Sequence, residues 1–590
     1  MKSLIEQHLA NALAALKAAR AIPDDVSPKI VVTRTKDPTH GDFASNLAMM
    51  LAKPAGKSPR EVAQLLVDAL PQNNDIRDVV IAGPGFINFF QNNAAASSVV
   101  ATVLQQGEQF GRSNKGAGQR WQVEYVSANP TGPLHVGHGR GAALGATMAN
   151  MLSAIGFDIQ REYYVNDAGR QMDILAVSVW LRYLELCGES FDFPSNGYRG
   201  DYVRLISQQL KDQYGEKLKF PAKAIFDSVP ADESLAELTD KPVGDKEAHI
   251  DGIIAQARQL LGDHYLTVFN LGLNAILDDI KQDLGEFGVI YDEWFSERSL
   301  SDHVKTVVQK LDDAGHLYVK EGATWFRSTD FGDEKDRVVV RDNGQTTYFA
   351  SDIAYIDNKL ERGFDKVLYV FGADHHGYTA RMYAACEALG HSREKLEFLL
   401  IQFAILYKGG ERMQMSTRSG EFVTIRDLRE EIGKDAARYF YVMRKYQQHL
   451  DFDLDLAKSK SNENPVYYVQ MAHARICSVM RRCEQLGMTY NQQQGLESLA
   501  LLTEPEEAEL LTQLSTYPEL LERAAMAHEP HQLTTYLRDL ANGLHSYYNA
   551  HKTLVEDDAL RQARLCLMQA VQQVLYNGLT LIDVSAPEVM

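Results

Sequence analysis

No run of apolar residues in this 590-residue chain is long enough to span a bilayer, so a helical membrane protein is not expected. Cysteine is scarce: Cys187, Cys386, Cys477, Cys483 and Cys566 are scattered, and none forms a CxxC pair. That speaks against a disulfide framework and a cysteine zinc site, and it fits a reducing cytoplasm. The opening MKSLIEQHLANALAALKAAR lacks the unbroken apolar core of a secretory signal, and Ile5, Leu9, Leu13 and Leu16 instead fall on one helical face. Asp24 and Asp25 follow soon after, which weakens a transit-peptide reading. Internal repeats and low-complexity tracts are absent. Positive charge is in deficit, with 60 Lys and Arg against 79 Asp and Glu and a formal net charge of −19. Such a balance does not suit a protein that coats nucleic acid nonspecifically, although an acidic body can carry a local basic face.

What is present is ordinary globular material, 45% hydrophobic and 24% charged, in a length that suggests three to five domains. Residues 1–112 read as a small α/β module. After the opening helix comes the strand KIVVTRT, then HGDFASN as a loop into a helix capped by Asp42 or Ser45. A helix from Pro59 to Leu70 follows, then the β-rich VVIAGPGFINFF, broken at Gly83-Pro84-Gly85. NKGAGQR is a linker, and a second domain spans 118–455. It opens with the strand WQVEYVSA, a helix from Val136 to Leu152, the strand FDIQREYYV and a helix from Met172 to Leu186, the order of parallel βαβ units. Residues of about 188–250 read as a polar, irregular insertion with short helices, and helical periodicity resumes from Ile253 to Phe287. VIYDEWFSE, TWFRST, RVVVRDNGQTTYFA, KVLYVFGA and EFLLIQFAILY read as further strands, with a helix from Thr379 to Leu389 before the last. Residues 464–590 are nearly all helical, and Leu533, Leu537, Leu540, Leu544 and Tyr547 mark one face of an antiparallel helical bundle. The fold class is therefore α/β multidomain with an all-α C-terminal bundle.

The chemistry begins at SANPTGPLHVGHGR, which joins a strand end to a helix start. In open parallel sheets ligands bind at that place, and a helix N-terminus offers free N–H groups that suit phosphate. Gly137 and Gly139 allow close backbone approach, and His135 and His138 add donors, so the site suits displacement at the phosphorus of a nucleotide. Neither GxGxxG nor GxxxxGK[ST] follows WQVEYV, which excludes the dinucleotide and P-loop fingerprints there. A metal pair at His135 and His138 lacks a third ligand at a familiar spacing. A second polar loop, KGGERMQMSTRSGEF, carries Arg412 and Arg418 and is suited to closing over a triphosphate.

LHVGH resembles the HIGH motif of class I aminoacyl-tRNA synthetases, and QMSTR at 414–418 resembles their KMSKS loop in degenerate form. HGDFASNLAM, AGPGFINF, VEYVSANPTGPLHVGHGR, YVNDAGRQ, DEWFSE, NPVYYVQMAHAR and the terminal SAPEVM narrow the resemblance to the arginyl-tRNA synthetase family, in order, from about residue 40 to 590. The resemblance implies three parts: an N-terminal domain that contacts the tRNA corner, a Rossmann-like class I catalytic domain with an insertion, and a helical anticodon-binding domain. It implies activation of L-arginine with ATP and transfer to tRNA(Arg), in a cytoplasmic protein with no membrane partner and a monomer as the default state. Mg²⁺ would come with ATP, without a dedicated protein-ligand cage.

Residue roles follow from the same resemblance. His135 and His138 would stabilise the α-phosphoryl transition state. Pro130, Gly137, Gly372, Asp374, His375, Gln414, Met415 and Ser416 would bind ATP, and Arg418 would act on pyrophosphate. Both usual loop lysines are missing, and Gly132 stands where some relatives carry a compensating lysine. Glu124, Asn129, Tyr348 and Asp352 match the arginine pocket, where carboxylates suit a guanidinium fork. A charge-matched pocket of that kind needs no editing domain. Tyr467, Arg475, Tyr547 and Met590 would contact tRNA, although Met471 replaces a usual tyrosine. Competing readings are another class I synthetase or small nucleotidyltransferase, a non-catalytic tRNA-binding paralogue, and a metalloenzyme using His135, His138 and His375.

Overall fold

The computed structural model describes residues 1–35, 37–73, 75–235, 242–413 and 423–590. The N-terminal helix Lys2–Ala18 buries Ile5, Leu9, Leu13 and Leu16, the face expected from their spacing. It lies over a four-stranded antiparallel sheet in the order Val32–Arg34, Phe43–Ser45, Phe86–Gln91, Ile76–Ala82. FAS is thus a strand, not a loop. The next helix, Leu47–Ala55, has Asn46 at its cap position without a side-chain cap bond, and the Ser45 hydroxyl accepts the Leu47 amide at 3.3 Å. The Asp42 carboxylate is taken by the Gln91 amide at 2.7 Å, which draws it into the sheet. Helix Pro59–Asp68 starts with a full capping box between Ser58 and Glu61.

The central domain is built on a five-stranded parallel sheet in the order Leu396–Ile401, Lys366–Gly372, Arg120–Tyr125, Asp158–Val165, Glu293–Ser296. The chain enters at the central strand, builds two neighbours on one side, then crosses to build two on the other. The reversal falls between Arg120–Tyr125 and Lys366–Gly372, so their carboxyl ends flank the ligand crevice. Helix Val136–Ala154 packs tightly on the central strand: a Cβ added at Gly145 would stand 2.4 Å from the Tyr125 ring.

Two segments read as strands take other forms. YFASD begins a helix, Tyr348–Glu361, because Thr347 caps it by accepting from the Ala350 amide at 3.4 Å. EFLLIQFAILY splits at Gln402-Phe403: Leu396–Ile401 stays in the parallel sheet, and Ala404–Lys408 joins a second sheet beside Leu450–Asp453. The split is fixed by polar bonds, since the Gln402 amide donates to the Tyr446 carbonyl at 2.8 Å and its carbonyl accepts from Arg140 at 2.6 Å. The insertion contains a 14-residue helix, Asp201–Tyr214, longer than its polar composition suggested. The periodic stretch up to Phe287 is two helices, Lys246–Leu261 and His264–Glu286, parted at Gly262 with φ of 53°.

The C-terminal helices Pro465–Gln485, Pro505–Met526, His531–Ala550 and Asp558–Leu581 form the expected bundle, with Leu533, Leu537, Leu540 and Leu544 fully buried. Its core is continuous with one face of the parallel sheet, whereas the N-terminal module has its own. All five cysteines are free and buried. Among the described residues no helix is long and apolar enough to cross a membrane.

Candidate active site

His135 stands at the N-cap of helix Val136–Ala154, with extended backbone, and its Nδ1 accepts the Gly137 amide at 3.1 Å. That bond places the proton of the neutral ring on Nε2. The His138 ring stacks on His135, with centroids 3.8 Å apart and planes at 28°. Burial lowers the proton affinity of both. His138, with His135 as a further like-charge neighbour, is held down at about 3. Both rings are therefore neutral donors at physiological pH. His138 Nδ1 has no hydrogen-bond partner among the described residues. The first turn is anchored from behind, where the Tyr441 hydroxyl donates to the Val136 carbonyl at 2.9 Å and a Cβ at Gly139 would meet the Tyr441 ring at 2.8 Å.

Across the crevice, strand Lys366–Gly372 ends in the tight turn Ala373–Tyr378. Gly372, Asp374 and His375 face His135, Gly137 and His138 across a cleft of about 390 Å³, and Asn129 lines the same wall as the histidines. Pro130 is buried beside them. Arg140, Gln402 and Phe403 also line this cleft and were not read from the sequence. Phe403 lies at the strand split, and Arg140 points its guanidinium at three distant backbone carbonyls, so no local pattern marks either one.

Of the residues matched to arginine recognition, Asn129 lines this cleft, whereas Glu124, Tyr348 and Asp352 are not among its lining residues. Tyr348 and Asp352 lie one turn apart on the same helix face. Asp352 accepts the Tyr378 hydroxyl. Burial, then the Glu297 and Glu124 carboxylates, push the Asp352 carboxyl up to about 7 against the pull of Tyr378. Glu297, also missed in the sequence, is itself raised by burial, with Tyr164 and Ser351 hydroxyls favouring its charged form. The result is an acidic, partly desolvated pocket with phenolic donors around it. Tyr348 is exposed, and the exposed Asn129 amide donates to Gln171 at 2.8 Å. Glu124 is differently placed: it is buried and already bonded to Lys359 and Ser127. A three-histidine metal centre is not formed. Among the described residues the ligand-type side chains that converge are His303, Asp357 and Glu361, where Lys310 already bridges both carboxylates at 2.6 Å.

Residues 3–91 match the arginyl tRNA synthetase N terminal domain, 99–186 and 262–477 match the class I (R) tRNA synthetase catalytic domain, and 469–590 match the DALR anticodon binding domain. The arginine--tRNA ligase of Thioalkalivibrio sulfidiphilus is 59% identical, and that of Legionella pneumophila strain Corby 55%, each with both chains covered in full. The chain belongs to the arginyl-tRNA synthetase family. The Thermus thermophilus arginyl-tRNA synthetase, 21% identical with both chains covered in full, superposes with a TM-score of 0.71 and has the same fold.

In this family member the loop resembling KMSKS lies outside the described residues, and with it Gln414, Met415, Ser416 and Arg418. Its flanks are described: Met413 bonds Leu406, and Val423 to Ile425 pair with Leu134 to Val136 at the mouth of HVGH. In the bundle of this synthetase, Tyr467 is half-buried and Met590 exposed. Tyr547 is a correction: it is fully buried, with its hydroxyl on Glu507 at 3.4 Å, and a ring sealed in the core cannot stack on a base. Its neighbour Tyr548 is 41% exposed and lies 4.6 Å beneath the Arg475 guanidinium. The helical period put Tyr547 on the apolar face, and that period was the signal that could have separated the two tyrosines.

Proposed function

We propose that the chain activates L-arginine with ATP and transfers it to tRNA(Arg). The observation that carries this reading is the placement of the His135–His138 helix mouth opposite Gly372 and Asp374, with the acidic Asp352 pocket alongside. The carboxylate of arginine attacks the α-phosphorus of ATP, and the bond to pyrophosphate breaks. The terminal ribose hydroxyl of the tRNA then attacks the arginyl carbonyl, and AMP leaves. His135 and His138, neutral and fixed, donate to phosphate oxygens as charge builds there. Gly137 and Pro130 shape the wall around the nucleotide, Gly372 and Asp374 take its ribose, and His375 stands at the rim. Gln414, Met415, Ser416 and Arg418 act on the triphosphate, with Arg418 on the departing pyrophosphate.

Asp352 receives the guanidinium, Tyr348 adds a donor-acceptor hydroxyl, and Asn129 orients the α-amino and carboxylate end. Mg²⁺ neutralises phosphate charge when bound; Asp374 is the exposed carboxylate in the cleft lining, which fits a metal held mainly by phosphate and water. The tRNA spans the N-terminal module, residues 1–112, and the bundle, residues 464–590, where Arg475, Tyr467 and Met590 make contacts. The protein works as a cytoplasmic monomer.

ATP–pyrophosphate exchange with each of the twenty amino acids, with and without total tRNA, tests this function. Exchange specific to arginine is expected. Exchange with another amino acid would overturn the pocket assignment. No exchange while tRNA still binds would favour a binding paralogue.

A further inference from the structure

Lys359 is wholly buried, and the proposed reaction has no use for it. Its ammonium bonds the Glu124 carboxylate and lies 4.1 Å from the ring centroids of both Tyr355 and Tyr369. The other carboxylate nearby, Glu162, is already engaged by Tyr355 and by Arg362 at 2.7 and 3.0 Å. A buried charge is tolerated only when it is paired and hydrogen-bonded, so Lys359 and Glu124 depend on each other.

Glu124 passes this constraint on. Its second oxygen accepts the Ser127 hydroxyl at 3.1 Å, and Ser127 Oγ in turn accepts the Tyr164 amide of the neighbouring strand at 3.1 Å. Ser127 and Val126 have φ of 42° and 68°. Two adjacent residues with side chains in the left-handed region, one of them β-branched, make an unfavourable turn that persists only where surrounding bonds over-determine it. This turn carries the chain from the central strand into the cleft, and Val126, Ser127 and Asn129 all line it.

We propose that Lys359 is a positioning residue for arginine activation: by fixing Glu124, and through it Ser127, it holds the Val126–Ser127 turn that sets Asn129 and the cleft wall. Lys359 touches no substrate. Without its ammonium, Glu124 is left buried without a counter-charge and turns away or takes a proton. Ser127 then loses its fixed acceptor, and the turn relaxes. The inference rests on the reading of this cleft as the activation site.

The test is arginine-dependent ATP–pyrophosphate exchange with tRNA present, on K359M, K359R, S127A and K359M/S127A, with thermal melts of each. K359M is expected to raise KM for arginine and ATP tenfold or more while leaving KM for tRNA within twofold. K359R is expected to recover to within a few-fold of the parent. S127A should share the direction of K359M, and the double variant should be no worse than K359M alone, because both act on one chain of bonds. S127A leaves no buried charge unpaired and decides the matter if K359M does not fold. Unchanged KM values in S127A, or in a folded K359M, would overturn the inference, as would independent, multiplying effects in the double variant. D352N separates the two levels: an unchanged arginine KM there counts against the pocket assignment, since Asp352 lies outside the Lys359 chain.

Discussion

The Val136 amide donates to the Val423 carbonyl at 3.0 Å, and the Ile425 amide donates to the Leu134 carbonyl at 2.9 Å. This short pairing ties the entrance of HVGH to the chain that leaves the 414–422 segment. Val423 to Ile425, far from HVGH in sequence, thus lie directly beside it.

His138→Asn keeps a donor but not its position. We expect kcat for arginine-dependent exchange to fall roughly 10²-fold, the usual loss for one misplaced transition-state donor. The native ring titrates near 3, below its ordinary value of 6.5, so the unfolded chain takes up a proton first as pH falls. Its contribution to stability is present above about pH 6.5 and is lost as pH falls toward 3. Melting temperatures measured across this range should fall less steeply in the variant.

Asp352 behaves in the opposite sense. Its carboxyl titrates near 7 in the native protein, above the usual 3.8, so its contribution to stability is fully present below about pH 3.8 and is lost as pH rises through 7. On the proposed reading the guanidinium binds the ionised form, so KM for arginine should decrease as pH rises from about 6 to 8. In D352N that dependence should vanish and KM should rise by roughly 30-fold or more. Steady-state kinetics at varied pH check both.

Arg140→Met removes a buried guanidinium that holds three carbonyls, those of Gln402 at 2.6 Å, Gln448 at 2.7 Å and Lys445 at 2.9 Å. Leaving these acceptors unpaired should cost roughly 3 kcal/mol in denaturant unfolding. Because Gln402 and Phe403 line the nucleotide cleft, KM for ATP should rise more than KM for arginine.

Tyr547 and Tyr548 should part company. Tyr547→Ala opens a cavity in the bundle and should destabilise it by about 3–5 kcal/mol. Tyr548→Ala, on the surface beneath Arg475, should change stability by no more than about 0.5 kcal/mol yet weaken tRNA binding, as read by filter binding. The reverse pattern would restore Tyr547 as a contact residue.

Much of the architecture was legible in the chain. Ile5, Leu9, Leu13 and Leu16 predicted the buried face of the first helix, and the βαβ order around HVGH predicted a parallel sheet with its crevice at that loop. The misreadings share one cause. TTYFA and EFLLIQFAILY have β-rich composition, but Thr347 caps a helix in the first, and Arg140 and Tyr446 seize the backbone at Gln402 in the second. Composition reports average preference, and one well-placed hydrogen bond, local at Thr347 and long-range at Gln402, can outweigh it.

The sequence by itself determined the family, the domain order and the two histidines at the helix mouth, because periodicity and contiguous motifs are properties of neighbouring residues. Only the tertiary structure decided how two candidate carboxylates differ in partner and charge state. Glu124 and Asp352 look alike as letters, yet one is neutralised by a lysine and the other stands half-buried among like charges, near the pH at which it ionises. Charge state and access depend on which groups folding brings within a few ångströms, and residues distant in the chain supply those groups.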